Sequence, residues 1–288
     1  MEVRKMGHLA SKRRIRLFAA IFVYSSLIAI SIVILIPVAW MLSTALKEDS
    51  EVFLFPPQWI PRVVCWDNFK RALTFLPFGR YFFNTATITF STLLGELLSS
   101  SVVAYGFARL RGRGRDLLFA LVLSTMMVPS QVTMIPTFVI FKLLNWVDTF
   151  KPLIIPAFFG SAFFIFLLRQ FYMTIPVEID DAAKIDGCTY FGIYSRIMLP
   201  LTKPALATVA IFSFMWHWND FMTPLIYLNS NEKLTLSIAL SRFTGMYGMT
   251  AWNLLMCASL VVALPCLLLF FFAQKYFIQG IVVTGLKG

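Results

Sequence analysis

The chain has 288 residues, 59% of them hydrophobic, at a mean hydropathy of +0.77. Soluble domains are about 45–50% apolar, and here the excess lies in long uncharged runs, which excludes a large water-soluble helical protein. The formal net charge of +11, from 25 Lys and Arg against 14 Asp and Glu, does not point to nucleic acid: the arginine stretches lack the interleaved aromatics of a nucleic-acid groove, whereas basic residues crowd the cytoplasmic loops of membrane proteins and face anionic lipid.

Residues 1–16 carry Arg4, Lys5, Lys12, Arg13, Arg14 and Arg16 and read as a basic cytoplasmic N-terminus. The uncharged run 17–42 follows. It is too long for a signal-peptide core of about 7–15 residues, so it reads as a retained first membrane helix. A second span covers 81–108 with Glu96 as its one charge, a third 117–141, and a fourth 152–168, continuing past Arg169. The fifth, 204–228, contains only Asp220, and the sixth lies at 251–272 within the uncharged stretch 243–274. A segment in lipid must satisfy its own backbone, so these are helices. Barrel strands would alternate polar and apolar over ~10 residues, and these runs do not.

The expected fold is an all-α membrane protein of six transmembrane helices. The expected layout is the N-terminus 1–16, a six-helix transmembrane bundle over 17–272 and a cytoplasmic tail over 273–288. With the N-terminus inside, internal segments 1–16, 107–116, 173–203 and 273–288 hold six, four, three and two Lys or Arg. External segments 43–80, 142–151 and 229–250 hold five, two and two. This bias favours N-in, C-in, most clearly at the N-terminus and at the loop with Arg109, Arg111, Arg113 and Arg115. Pro37, Pro129, Pro136, Pro224 and Pro265 sit in or at the ends of spans, as shape-setting kinks or as hinges.

Between the fourth and fifth spans the loop 173–203 is long and structured in composition. Pro176 suits a helix start, with Glu178, Asp180 and Asp181 in the first turns. Val177, Ala182 and Ile185 fall near helical spacing for one apolar stripe, and Gly187 suits a helix stop. A second short apolar piece ends at Pro200. Such a helix can dock into a groove on a partner protein. Its acidic side argues against a helix lying on lipid, which is usually rich in Lys and Arg.

Here Asp181-Ala182-Ala183 is followed after three residues by Gly187, and after nine more by Ile197, Leu199 and Pro200. This pattern resembles the cytoplasmic motif of ATP-binding-cassette importer permeases, with Asp for the usual Glu. The run 127–136, Trp218-Asn219-Asp220-Phe221 with Pro224-Leu225, and the ending 274–280 resemble the carbohydrate (maltose-type) subfamily, second permease of the pair. Asn145-Trp146, before Asp148-Thr149, departs from an expected Gly-Leu. The resemblance implies a bacterial inner-membrane subunit that forms a pore with a sister permease. It further implies two ATPase subunits below, which hold ATP and Mg, and an extracellular solute-binding protein that delivers sugar. Asp181, Ala182, Ala183, Asp186 and Gly187 would then form the coupling helix and its turn, and Ile197, Leu199 and Pro200 would tie it to the membrane core.

No G-x-x-x-x-G-K-[ST] loop occurs in the chain, so ATP hydrolysis is expected of partners and no bound cofactor of this chain. Cys65, Cys188, Cys257 and Cys266 show no C-x-x-C spacing, and His8 and His217 are far apart, so neither a metal site nor a disulfide framework is expected. No carboxylate pair supports catalysis. Ionisable groups at membrane depth are functional candidates. Glu96 reads as pore lining or as a polar helix contact. The cluster Trp216, His217, Trp218, Asn219 and Asp220 reads as a sugar pathway or as a gating and packing element. Glycerol phosphate or a polyol is the alternative solute. A stand-alone secondary carrier would show inverted repeats or broken helices, and no convincing repeat is present.

Overall fold

The computed structural model describes residues 2–244 and 250–285, with side chains for 18–244 and 250–274. The side chains of the basic N-terminus and of most of the expected C-terminal tail therefore lie outside the described residues. Among the described residues every regular element is a helix, and no strand occurs. In chain order the helices are α1 (Glu2–Ala45), α2 (Asp67–Phe75), α3 (Phe78–Arg109), α4 (Arg115–Thr125), α5 (Ser130–Leu143), α6 (Lys151–Ile154), α7 (Ala162–Thr174) and α8 (Glu178–Ile185). They continue with α9 (Tyr190–Ile193), α10 (Leu199–Leu201), α11 (Lys203–Trp218), α12 (Met222–Tyr227), α13 (Leu236–Ser241) and α14 (Trp252–Gly285).

Four segments are long and apolar enough to cross a membrane: Phe18–Ala45, Phe78–Arg109, Lys151–Thr174 and Trp252–Gln274. Two bent pairs raise the number to as many as six: α4 with α5, bent by 96°, and Tyr190–Leu201 with α11, bent by 77°.

The third expected span is thus a broken helix, and the break falls at 126–129. Pro129 has no N–H to continue α4 and biases Val128 away from helical backbone; it stands instead as the N-cap of α5. Pro136, inside α5, is carried without interruption. The fourth span is less regular than expected, with a 3-10 section over Ile155–Phe159 before α7. The fifth stops at Trp218, ten residues before the expected end. There Asp220 Oδ1 accepts the Thr223 N–H at 3.1 Å and starts α12 anew.

The chain divides into two compact units. The first comprises residues 1–72 and 247–260. Its apolar helix segment Phe18–Ala45 is almost wholly exposed, which in water would be untenable and in lipid is ordinary. The end of α1 is tightly bound. The Asn68 amide donates to the carbonyls of Ala45 (3.0 Å) and Lys47 (2.8 Å), Asn253 donates to Lys47 (3.3 Å), and Cys257 Sγ reaches Ala45 (3.2 Å). These are carbonyls that a helix end leaves without internal partners. Lys47 is buried, donating to the Gln58 carbonyl at 2.5 Å and lying 4.1 Å over the Trp40 ring.

The second unit comprises residues 73–246 and 261–288 and has α3 at its centre, packed against α7 and α11. Its core includes the fully buried Phe164, Leu168, Tyr172, Met198 and Val209. Small residues let α3 approach its neighbour. A Cβ on Gly95 would meet the Phe158 ring at 2.8 Å. Ser99 Oγ donates to the Ala157 carbonyl at 3.0 Å, and Ser100 Oγ accepts the Ser161 N–H at 3.2 Å. In the loop before α6, Asn145 and Asp148 adopt φ of 55° and 58°. Asn tolerates the left-handed region better than other non-Gly residues, which explains how Asn145 replaces the Gly expected there. Asp148 then accepts the N–H groups of Asn229 (3.0 Å) and Ser230 (2.9 Å) and the Lys233 ammonium (2.9 Å). These donors hold its carboxyl far below the usual carboxylate range.

Candidate functional site

Helix α8 is built by the chemistry its sequence announces. Glu178, Asp180 and Asp181 lie in its first turn, where they favour the positive end of the helix dipole. Gly187 closes it at φ 79°. The Gly187 N–H donates to Lys184 (3.0 Å) and the Cys188 N–H to Ala183 (2.9 Å), the paired bonds of a Schellman ending. Thr189 Oγ1 then accepts the Gly192 N–H at 3.1 Å and opens α9. A π-turn over Tyr194–Met198 leads to α10 and α11.

The sides of α8 are clearly divided. Asp180 and Ala183 are buried, while Val177, Asp181, Ala182, Ile185 and Asp186 are exposed. The expected apolar stripe therefore points away from the chain, with Ile185 87% exposed, and it continues into exposed Tyr190 and Phe191. Asp181 holds only an exposed contact to Lys184 at 3.0 Å. Of the three residues expected to anchor the loop, Ile197 and Leu199 are half-buried against the core, whereas Pro200 is exposed. The deeper anchors are Ile193 and Met198, both fully buried, and Tyr194, whose hydroxyl is 2.7 Å from Ser101 Oγ.

A clamp that sequence reasoning missed fixes α8 to α3. Arg109, the last residue of α3, places Nη2 2.7 Å from the Tyr172 carbonyl and 2.6 Å from that of Ile175. Its Nε lies 3.4 Å from Asp180 Oδ2, with both side chains buried. Burial pushes the Asp180 carboxyl pKa up, while Arg109 and then Lys184 pull it down. The available signal was a pair of residues at known ends: an arginine closing a span and an acid just before the motif.

The intramembrane candidates scatter. Glu96 is buried, and its Oε1 lies 3.3 Å from His217 Nε2, joining residues 121 apart in sequence. Glu96 Oε2 is buried without a hydrogen-bond partner among the described residues. Trp218 is a packing residue: its Nε1 donates to the Val262 carbonyl at 3.0 Å and its ring stacks on Phe214. Trp216 packs against Phe163 and Phe164. Asn219 donates back to the Met215 carbonyl at 2.8 Å, and Asp220 caps α12. His217 and Asp220 of this run line a common space, a cavity of about 100 Å³ shared with Thr85, Pro152 and Thr235.

Comparison with known proteins agrees with this architecture. Residues 96–283 match the family described as "Binding-protein-dependent transport system inner membrane component". The chain is 38% identical over 266 residues to the arabinooligosaccharides transport system permease protein AraQ of Bacillus subtilis (strain 168), covering 90% of this chain and 92% of that one. It is 34% identical to the polygalacturonan/rhamnogalacturonan transport system permease protein YtcP of the same organism, over 73% and 80% of the two chains. To the sn-glycerol-3-phosphate transport system permease protein UgpE of Yersinia enterocolitica it is 30% identical, over 91% and 95%. Its fold is similar to a chain in the crystal structure of a bacterial ABC transporter involved in the import of the acidic polysaccharide alginate. The TM-score is 0.79 at 23% identity, over 91% and 97% of the chains.

Proposed function

The chain belongs to the family of binding-protein-dependent transport system inner membrane components, and from that premise we propose that it is the permease through which an ATP-driven importer moves an oligosaccharide. The observation that carries the coupling part is the two-sided α8: one side is clamped by Arg109 and Asp180, and the other offers Val177, Asp181 and Ile185 to a partner. In this reading α8 is the coupling helix and its exposed side sits in a groove of an ATPase subunit. The chain crosses the membrane six times with both ends inside. A sister permease completes the pore, an external solute-binding protein loads it, and ATP and Mg stay on the ATPase subunits.

ATP-driven closure of those subunits would move α8. Because Arg109 joins α8 to α3, and α3 packs on α7 and α11, these helices of the second unit would follow. This is a two-state element biased by a ligand, as alternating access requires. Glu96, His217 and Asp220 supply hydrogen-bonding groups at membrane depth for a polar solute, while Trp216, Trp218 and Asn219 serve packing and helix termination. Relatives named for arabinooligosaccharides and polygalacturonan/rhamnogalacturonan favour a carbohydrate. The likeness to a glycerol-3-phosphate permease makes that solute the second reading.

The test is affinity purification of the tagged chain from native membranes, followed by uptake assays in vesicles. A second permease and an ATPase pair should co-purify, and ATP-dependent oligosaccharide uptake should not be competed by glycerol 3-phosphate. A chain that purifies alone and moves solute without ATP would overturn the proposal.

A further inference from the structure

Where Arg109 at the end of α3 holds α8, the seven residues from there to the start of α4 carry four arginines, Arg109, Arg111, Arg113 and Arg115. Arg169, on α7, lies nearby, stacked on the Phe119 ring at 4.1 Å with Nε 3.3 Å from the Phe107 carbonyl. Three of these five are occupied. Arg109 holds Asp180 and two carbonyls, Arg115 pairs with Asp116 at 2.9 Å, and Arg169 is set against Phe107 and Phe119. Arg111 and Arg113 are exposed and have no partner among the described residues. Both line an open cleft of about 270 Å³, together with Arg115 and the apolar Val103, Phe107, Leu110 and Leu118. Beyond it the exposed Leu117, Leu118 and Leu121 continue the apolar surface along α4.

We propose that this cleft binds an anionic phospholipid, with the phosphate held by Arg111 and Arg113 and an acyl chain running past Phe107 and along α4. The argument is charge complementarity joined to apolar complementarity. Guanidinium groups bind phosphate oxygens through two parallel N–H donors. Basic pockets between membrane helices at the cytoplasmic surface suit anionic headgroups. An acidic segment of a partner protein would satisfy the arginines but has no use for an apolar cleft opening between two apolar helices. The placement at the cytoplasmic surface rests on the coupling-helix reading, because Arg109 ties this loop to α8. A lipid seated here would brace the end of α3 that carries the clamp.

The test uses the whole importer complex in nanodiscs containing a photoactivatable phosphatidylglycerol or, separately, a photoactivatable phosphatidylcholine. Phosphatidylglycerol should label the peptide spanning 103–118 in clear preference to phosphatidylcholine. Each arginine near an anionic headgroup contributes about fivefold in affinity, so Arg111→Gln with Arg113→Gln should cut labelling about thirtyfold. Gly106→Leu offers an uncharged second variant: a Cβ there meets nothing within 4 Å, so the added side chain can fill the cleft and should also abolish labelling. Equal labelling by both lipids, or unchanged labelling in both variants, would overturn the proposal. So would cross-linking of Arg111 and Arg113 to an acidic segment of a partner protein. ATP-dependent uptake and ATPase co-purification in the same samples report on the importer reading separately. If they fail while the lipid still labels the cleft, the transport reading is wrong and the lipid site stands.

Discussion

The segment around α8 and the polar run where α11 ends were both conspicuous in the sequence, and they resolve in opposite ways. Around α8, residues spaced along a loop converge on one structure: acids in the first turn, a glycine at φ 79°, a threonine cap and a buried arginine clamp. In the run 216–220, five contiguous residues diverge. Successive positions on a helix turn by about 100°, so Trp216 meets Phe163, His217 meets Glu96, and Trp218 meets Val262. A spaced motif records what one turn of chain must do. A contiguous cluster on a helix is divided among several neighbours.

The sharpest way to break this comparison is to remove the clamp. Arg109→Gln leaves Asp180 buried without its cation, and breaking such a pair costs about 3–5 kcal/mol. The loop end should loosen, and thermal stability and ATPase association should both fall. The defect should also depend on pH. Burial already raises the Asp180 pKa, and losing Arg109 raises it further. A carboxyl with a raised folded-state pKa gives stability that is complete below the unfolded value of about 3.9 and is lost as pH rises through the folded value. The variant should therefore be least impaired in acid and worsen toward neutral pH. Adding Asp180→Asn should recover much of the loss at neutral pH. A flat pH dependence would mean that Asp180 is not the buried charge responsible.

Gly187→Val should have the next largest effect. A Cβ there meets no atom within 4 Å, so the cost is that of left-handed backbone for an L residue, about 1–2 kcal/mol or more with a branched side chain. The Schellman ending should be lost and uptake should fall steeply. Gly187→Asn should retain most of the uptake, because Asn visits that region. Asp181→Lys comes third. Its contact with Lys184 is exposed, and such pairs contribute about 1 kcal/mol at most. Folding and membrane insertion should be unchanged, while ATPase affinity should drop about tenfold. Equal ATPase recovery from Asp181→Lys and the parent chain would remove Asp181 from the docking surface.

The motif and the uncharged runs were legible because each is a local rule: a turn needs glycine, and a span needs apolar length. Breaks inside spans were less legible. Pro129 interrupts a helix and Pro136 does not, and both look alike in the sequence. Asp220, conspicuous as a charge inside a span, also starts a helix, which its sequence position did not announce. The Arg109–Asp180 pair left only a faint signal, an arginine at a span end and an acid beside the motif, because its partners are 71 positions apart and meet through packing of α3 against α7. The outward stripe of α8 was readable as apolar spacing, but which side would be buried depended on Ala183 and Asp180 meeting the core.

The smallest expected effect tests the region where sequence reasoning carried least. Glu96→Gln keeps the shape of the side chain and its reach to His217 while replacing one carboxyl oxygen with an amide nitrogen. The buried Oε2, left without a partner among the described residues, is a group that such interiors ordinarily satisfy. It is closed off in this structure, so a solute hydroxyl or a water would donate to it when helix motion opens the pathway. Losing the acceptor costs about one net hydrogen bond, about 0.5–1.5 kcal/mol. The change should therefore raise the KM for uptake roughly fivefold while leaving ATPase association and thermal stability as they were. A shift in thermal stability with unchanged KM would make Glu96 a helix contact alone. The α11 run would then hold two residues, His217 and Asp220, with any claim on the pathway.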